Sequence, residues 1–405
     1  MATTFAYKVR DQHGQLIEGT LDASSRELVT SKLREMGYSP LEVSEKRKSL
    51  LQTEFKLGGA SKVKIRDLAV MARQLSTMIT AGMPLIRALN VLKEQTENKT
   101  LISVITEIRG DIERGMSFHQ AIDRHGAVFP PLFSPMIKAG ETGGVLDTIL
   151  NRLARTLEKQ AELRGKVRSA MAYPVMVGAM VVLIATGMLV FIVPRFESIY
   201  ESLDGTLPTP TRVLLAISKA MTHQGPIIVL FLAVAVLGLR RWVGTKKGRM
   251  IFDGFKLKAP LFGPLASKAA IARFARTLSS LVRAGVPMME SLSIVANTSG
   301  NSVIQDGVET ARERVRHGSS MSASIADHRA FPPMVIQMMA VGEETGALDE
   351  MLEKMADFYE EEVEATVNAL TSLIEPLLMV FMGVVVGGMI IALYMPIFKL
   401  ITIVK

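Results

Sequence analysis

Cysteine is absent from the 405 residues. That excludes a disulfide framework, a thiolate metal site and a cysteine nucleophile. Aromatic residues make up 6% of the chain, with a single Trp. The basic residues of the first half lack an aromatic platform and alternate with acids, so the formal net charge of +8 points to a membrane surface and not to nucleic acid. No G-x-x-x-x-G-K-[ST] loop and no G-x-G-x-x-G fingerprint occurs, so no phosphate cradle is expected and any energy must come from a partner. The six histidines are scattered. His119, His125, His317 and His328 lack zincin spacing and read as solvated surface. The opening "MATTFAYKVRDQHG" has no apolar run, so no cleavable signal peptide is expected.

What is present is apolar: 48% hydrophobic against 21% charged residues. That balance suits membrane segments joined to soluble lobes. Three runs carry it, at 173–194, 225–243 and 376–396. A spanning helix needs about 20 apolar residues, or about 17 at the lower end. The second run is the shortest and meets Arg240 and Arg241. None of the three apolar stretches, 175–193, 227–239 and 377–395, contains Asp, Glu, Lys, Arg or His. Ion and proton pathways normally need such groups, which argues against a small-solute channel or carrier. Gly383, Gly387 and Gly388 in the third run, with Gly178 and Gly187 in the first, are expected to let membrane helices pack closely within or between subunits.

Arg164, Lys166 and Arg168 precede the first run, and Arg240, Arg241, Lys246, Lys247 and Arg249 follow the second. The connection between them, 195–224, is poor in base. Both flanking lobes should therefore face the cytoplasm, with the connection and a short tail (397–405) outside.

The chain repeats itself. "AGETGGVLDTIL" from Ala139 returns as "VGEETGALDEML" from Val341. "ARQLSTMITAGMPLIRALNVL" from Ala72 returns as "ARTLSSLVRAGVPMMESLSIV" from Ala275. Pro174 and Pro194 bracket the first apolar run as Pro376 and Pro396 bracket the third. Each unit is a lobe plus one membrane helix, and the second run returns the chain, so that the repeat is parallel. Apolar spacing in the first lobe predicts helices around Leu68–Ile79 and Leu101–Ile112 and a long helix from Leu146. Ser117 with Gln120 fits a capping box for another. Neither lobe shows a strand pattern.

Gly140 and Gly144, with Gly342 and Gly346 in the second copy, are expected to allow a tight turn into the long helix. Glu141, Asp147, Glu343 and Asp349 would favour its N-terminus. A capped turn, a partner contact and a divalent cation held by Glu141 and Asp147 are the three readings of this motif. No run of oxygen ligands like a calcium loop accompanies it, and no other cofactor is expected. Pro174 and Pro376 are expected to kink their helices.

Residues 1–55 differ in pattern. Two strands around a turn at 11–14, a helix capped by Ser24 or Ser25 and a third strand at "SPLEV" suggest a small α/β appendage before a linker. The fold class expected is mainly α: an integral membrane protein with two homologous all-α helical-bundle lobes (56–172 and 244–375), three transmembrane helices and this α/β appendage.

Charge divides unevenly between the lobes. Residues 56–172 hold 18 Lys and Arg against 11 Asp and Glu, and residues 244–375 hold 14 against 17. Glu360, Glu361 and Glu362 lie in the acidic stretch and read either as a solvated face or as a surface for a basic partner.

The duplicated "AGETGGVLD" and "VGEETGALD", "AYPV" and "IEPL" before the spans, and "LPTPT" in the outer connection resemble the type II secretion F family, over nearly the whole chain. The resemblance implies an inner-membrane platform of a type IV pilus or type II secretion machine, with a cytoplasmic N-terminus and no enzymatic activity. It implies a hexameric cytoplasmic ATPase, pilin or pseudopilin subunits and membrane alignment proteins as partners, and a homo-oligomer in the form of a dimer. "KEQTENK" from Lys93 and "TMITAGMPL" resemble the pilus branch more closely.

Overall fold

The computed structural model describes residues 3–10, 16–23, 26–35, 37–45, 62–201 and 208–403. They fall into two units, Met1–Lys62 and Val63–Lys405. In the first unit, β1 (Thr3–Arg10), β2 (Leu16–Ala23) and β3 (Ser39–Glu45) form an antiparallel sheet in the order β2-β1-β3, with α1 (Arg26–Glu35) between β2 and β3. Val9, Val29 and Leu33 form its core. Pro40 stands on the edge strand opposite Val9, where the register shifts, and an edge tolerates the missing N–H. The expected turn at 11–14, the Ser24 or Ser25 cap and the linker over 46–61 lie outside the described residues.

The second unit is helical and duplicated. The first copy is α2 (Ile65–Thr80), α3 (Leu85–Gln95), α4 (Lys99–Glu113), α5 (Phe118–Asp123), α6 (Phe133–Gly143) and α7 (Leu146–Gly187). A π-helical turn at Met188–Ile192, α8 (Val193–Glu201), α9 (Thr209–Val243) and α10 (Lys246–Lys258) connect it to the second. That copy is α11 (Gly263–Arg283), α12 (Met288–Thr298), α13 (Ser302–Arg316), α14 (Met321–Ala326), α15 (Pro333–Thr345) and α16 (Leu348–Ile403). Local signals repeat along with the helices. Asn98 accepts hydrogen bonds from the N–H groups of Thr100 and Leu101 to start α4, and Asn301 accepts those of Val303 and Ile304 to start α13.

The apolar stripe Leu68, Met71, Ala72 and Leu75 of α2 packs on Ile149, Leu150, Leu153 and Leu157 of α7. Ile271, Phe274, Ala275 and Leu278 of α11 meet Leu352, Met355, Ala356 and Tyr359 of α16 in the same way. All these residues belong to one continuous core. The lobes are thus fused, and Thr156 on α7 and Ser280 on α11 share a hydroxyl–hydroxyl bond of 2.8 Å across the seam.

Beyond the lobes, the helix from Leu146 to Phe196 and the helix from Leu348 to Met395 are each long and apolar enough to cross a membrane. Thr209–Gly225 and Ile227–Val243 would make a third such helix together, but they meet at 71°. The intervening Pro226 supplies no backbone N–H, a common cause of a sharp bend. Helix α7 continues through Pro174, and α16 through Pro376 and Pro396, without interruption. The prolines that bracket the apolar runs, Pro194 and Pro396, thus lie within helix. Where backbone groups have no water to turn to, helix is the cheapest way to satisfy them, even across a proline.

The expected outer connection, 195–224, is also largely helix, contributing to α8 and α9. Its hydroxyls have a specific task. In the π-turn, the Val193 N–H bonds to the carbonyl of Met188, one residue further back than in an α-helix. The Leu189 carbonyl thereby loses Val193 as donor, and Pro194 has no N–H to offer it. The buried Ser218 hydroxyl donates to that carbonyl at 2.6 Å. On α16, the Ala392 carbonyl faces the missing N–H of Pro396, four residues on. The buried Thr211 hydroxyl donates to it at 2.6 Å. Thr211 and Ser218 are seven residues apart, on one face of α9. A single helix face therefore repairs both carbonyls left open by the two repeat-related prolines.

Candidate functional site

The repeated motif occupies the joint between the short lobe helices and the two long ones. Helix α6 ends at Gly143, and Gly144 takes the left-handed conformation at φ 66°. Its counterpart Gly346, after α15, has φ 70°. A side chain is strained there, which explains glycine at both turns. Gly140 and Gly342 do something else. A Cβ on Gly140 would lie 3.1 Å from Ile149 and 3.2 Å from the Leu146 Cα, and one on Gly342 would lie 2.9 Å from the Leu348 Cα. These two glycines are not turn residues. They let α6 and α15 touch the first turn of α7 and α16.

The glutamates also differ from expectation. Glu141 does not serve the long helix that follows it. Its Oε1 accepts the Phe118 N–H at 2.7 Å and its Oε2 the His119 N–H at 3.0 Å, so it caps α5, 22 and 23 residues earlier. His119 Nδ1 lies 2.6 Å from the same oxygen. In the second copy Glu343 accepts the N–H groups of Met321 and Ser322 at the start of α14, with Ser322 Oγ at 2.6 Å in place of the histidine. The expected capping box of Ser117 and Gln120 is not formed: Ser117 makes no side-chain cap bond, and the Phe118 and His119 N–H groups are capped by Glu141. A carboxylate satisfying two helix N–H groups contributes about 1.5–3 kcal/mol for each charge-assisted bond before desolvation is counted. His119 is thus part of this cap and not a free surface group, and the His125 side chain is largely buried.

Asp147 stands in the first turn of α7, and Asp349 in that of α16, where Arg283 Nε donates to it at 3.1 Å. Among the described residues no group of three His, Asp or Glu is arranged to hold a metal, and both Glu141 oxygens already accept backbone N–H groups.

A second duplicated pair sits deeper on the long helices. Arg73 on α2 grips Glu158 on α7 with two bonds, Nε to Oε1 at 2.7 Å and Nη2 to Oε2 at 2.6 Å. Arg276 on α11 grips Glu360 on α16 with the same two bonds, each 2.8 Å, and also reaches Asp357. The bond from Arg73 holds the Glu158 carboxyl below its ordinary range. Burial opposes the charge on Arg276, but its bonds to Glu360 and Asp357 outweigh that and hold the guanidinium above its ordinary value. Sequence reasoning overlooked this pair. The signal was the arginine of "ARQL" and "ARTL", with a glutamate 85 residues after the first and 84 after the second.

The acidic stretch is likewise explained inside the chain. Glu360 is spent on Arg276, Glu362 on Lys268 at 2.7 Å, and Glu364 on Lys166 of the other copy at 2.7 Å. Glu361 is exposed and pairs with no base among the described residues. These acids therefore hold α16 against α11 and α7, which neither reading of the sequence expected. At Gly383, Gly387 and Gly388 no other part of the described chain lies within 4 Å of where a Cβ would stand.

The family model for type II secretion system protein F matches residues 71–194 and again 274–396, so it falls on both copies and stops at the two prolines repaired by α9. The model for the N-terminal domain of the same protein matches residues 1–44. The chain belongs to the type II secretion system F family. Within that family, a type IV pilus assembly protein PilC of Thermus thermophilus is 44% identical over 98% of both chains. A type IV pilus assembly protein PilC of Myxococcus xanthus is 38% identical over 98% of this chain and 94% of its own. A type II secretion system protein F of Aeromonas hydrophila is 34% identical over 94% of this chain and 98% of its own. The F-family architecture is therefore shared by pilus and secretion proteins, and its two matched halves are the two fused lobes with their long helices.

Proposed function

We propose that this chain is the inner-membrane platform of a type IV pilus machine, a non-enzymatic part that couples a cytoplasmic hexameric ATPase to insertion of pilin into the filament or its extraction. The observation that carries this reading is the continuity of α7 and α16. Each begins at a glutamate-capped joint within the fused lobes and runs unbroken into an apolar stretch. Any torque applied to the lobes reaches the bilayer through two stiff helices tied by Arg73–Glu158, Arg276–Glu360 and Lys166–Glu364. The lobes then move as one body.

The fused core also supports three spans. If α7 leaves the lobes through the membrane, the chain must return to the same body before α11, and α9 is the apolar helix that lies between. Both lobes and the N-terminus are then cytoplasmic, and the α8–α9 connection and the tail are outside. The uncovered Gly383, Gly387 and Gly388 face suits a second copy, giving a dimer. Pilin and the membrane alignment proteins are the remaining partners of this reading. The pilus branch is favoured by the identity to the pilus assembly proteins. Deletion of the gene, scored by electron microscopy and by secreted-enzyme assay, should give cells without surface pili that still secrete. Piliated cells would refute the reading, and loss of secretion with pili retained would assign the chain to the secretion branch.

A further inference from the structure

Between α7, α10 and the first half of α11 lies an open cavity of ≈ 860 Å³. Its walls are apolar, built chiefly from Val167, Met171, Phe252, Phe255, Ala266 and Ala269. The volume falls within the range of sites that take small ligands, about 300–1,000 Å³. Arg164, Arg168, Lys256 and Arg273 also line it, and no carboxylate does. Arg73, Arg276 and Arg283 each hold a carboxylate, whereas Arg164, Arg168 and Arg273 form no ion pair among the described residues. Arg273 is half-buried and donates only to the Ser299 carbonyl, at 3.2 Å. Burial and the neighbouring Arg164 push its guanidinium below the ordinary value. Lys256 pairs with Asp253 at 3.2 Å, but Arg164, Arg168 and Arg273 have no carboxylate partner among the described residues, and like charges of that kind beside an apolar cavity are complementary to an anion that carries a hydrocarbon tail.

The surroundings place the cavity at a membrane boundary. Its α7 wall ends at Val175, where the apolar run has just begun. Its α10 wall directly follows the apolar half of α9. On α10, Met250, Ile251 and Phe255 are exposed, Phe255 at 69%, while Lys246, Lys247, Arg249 and Lys258 flank them. An exposed apolar face edged with lysine and arginine is the pattern of a helix lying in the headgroup region. The helix is held there: Asp253 accepts the Ser302 N–H at 3.0 Å and its hydroxyl at 2.9 Å at the start of α13. The first copy has no counterpart, since α10 is unrepeated and Val70 stands where the second copy has Arg273.

We propose that this cavity binds one anionic phospholipid from the leaflet facing the lobes, with the phosphate at Arg164, Arg168 and Arg273 and an acyl chain between α7, α10 and α11. The site rests on the apolar helices being membrane spans and is independent of which machine the chain serves. A lipid there would supply the counter-charge that Arg164, Arg168 and Arg273 lack among the described residues.

The full-length chain, purified in a non-ionic detergent and stripped of lipid, would be titrated with palmitoyl-oleoyl phosphatidylglycerol and with the matching phosphatidylcholine, and followed by native mass spectrometry. One phosphatidylglycerol should be retained under conditions that strip phosphatidylcholine. Arg164→Gln and Arg168→Gln, both at exposed side chains, should leave the melting temperature unchanged and weaken binding about fivefold each. Ala269→Trp, which fills the cavity and keeps the arginines, should abolish binding, with the melting temperature reporting that the lobe is folded. Equal retention of both lipids would overturn the proposal, as would binding unaffected by either set of variants. Competition by glycerol phosphate at the same concentration would also overturn it, by showing that an anion alone is recognised.

Discussion

Glu360 and Glu361 are adjacent acids with opposite fates. Glu360 is largely buried and bonded twice to Arg276, whose own side chain is 10% exposed. Reversal by Glu360→Lys leaves a buried arginine facing a second cation and should cost about 3–5 kcal/mol, read as a sharp fall in melting temperature. Glu361→Lys, at an exposed position, should stay within about 0.5 kcal/mol of the parent. Equal effects would mean that Glu360 is not the partner of Arg276. The other copy offers a pH test. Glu158 has its carboxyl held below the unfolded value of about 4.3 by Arg73, so its contribution is complete above that pH and is lost as pH falls through the lower folded value. Melting curves between about pH 5 and pH 3 should show a steeper acid loss for the parent than for Arg73→Gln. Parallel curves would remove the linkage. At this scale the sequence was only partly legible. The recurrence of Gly140, Glu141 and Gly144 marked a joint, but recurrence does not say which helix a carboxylate serves. Glu141 lies five residues from the end of α7 that it was expected to favour, yet bonds to α5 through the fold of the lobe. The arginine–glutamate pairs span more than eighty residues, and no local pattern exposes them.

Among the elements, α9 has no repeat partner, yet its N-terminal half supports both copies. Thr211→Val should destabilise the parent by about 0.6–1.7 kcal/mol, the range of side-chain hydrogen bonds inside membranes. In a Pro396→Ala background the restored N–H can take the Ala392 carbonyl, so the same Thr211→Val change should then cost close to nothing. A cost that is equal in both backgrounds would show that Thr211 acts by packing alone and not by replacing the proline's missing donor. The helices of the lobes were readable from three- and four-residue spacing because each buries one stripe. That α7 and α16 are apolar enough to cross a membrane was readable from their lack of charge. Residues 195–224 were read as a base-poor connection between two apolar runs, with no part assigned to Thr211 or Ser218. Those hydroxyls are buried and bonded to carbonyls, a use that hydropathy alone cannot separate from solvation.

For the molecule as a whole, duplication was written plainly in the sequence, but fusion of the copies was not. Two lobes of one ancestral design could each have kept a separate core, and periodicity within a lobe is the same either way. The residues that join them, such as Thr156, Ser280, Lys166 and Glu364, are polar side chains on long helices and look like solvated positions until both copies are present. With α7, α9 and α16 as spans, the proposed topology makes a firm demand: both lobes share one face of the membrane, and α9 brings the chain back to it. The absence of native cysteine makes that demand directly measurable. Single cysteines at Asp204, Ser319 and Lys405 in the full chain would be labelled in intact cells with a membrane-impermeant maleimide. The account predicts that Asp204→Cys and Lys405→Cys react before the inner membrane is breached and that Ser319→Cys reacts only afterwards. Reaction of Asp204→Cys and Ser319→Cys from the same side would contradict it, because α9 would then not cross and the two copies could not be parallel.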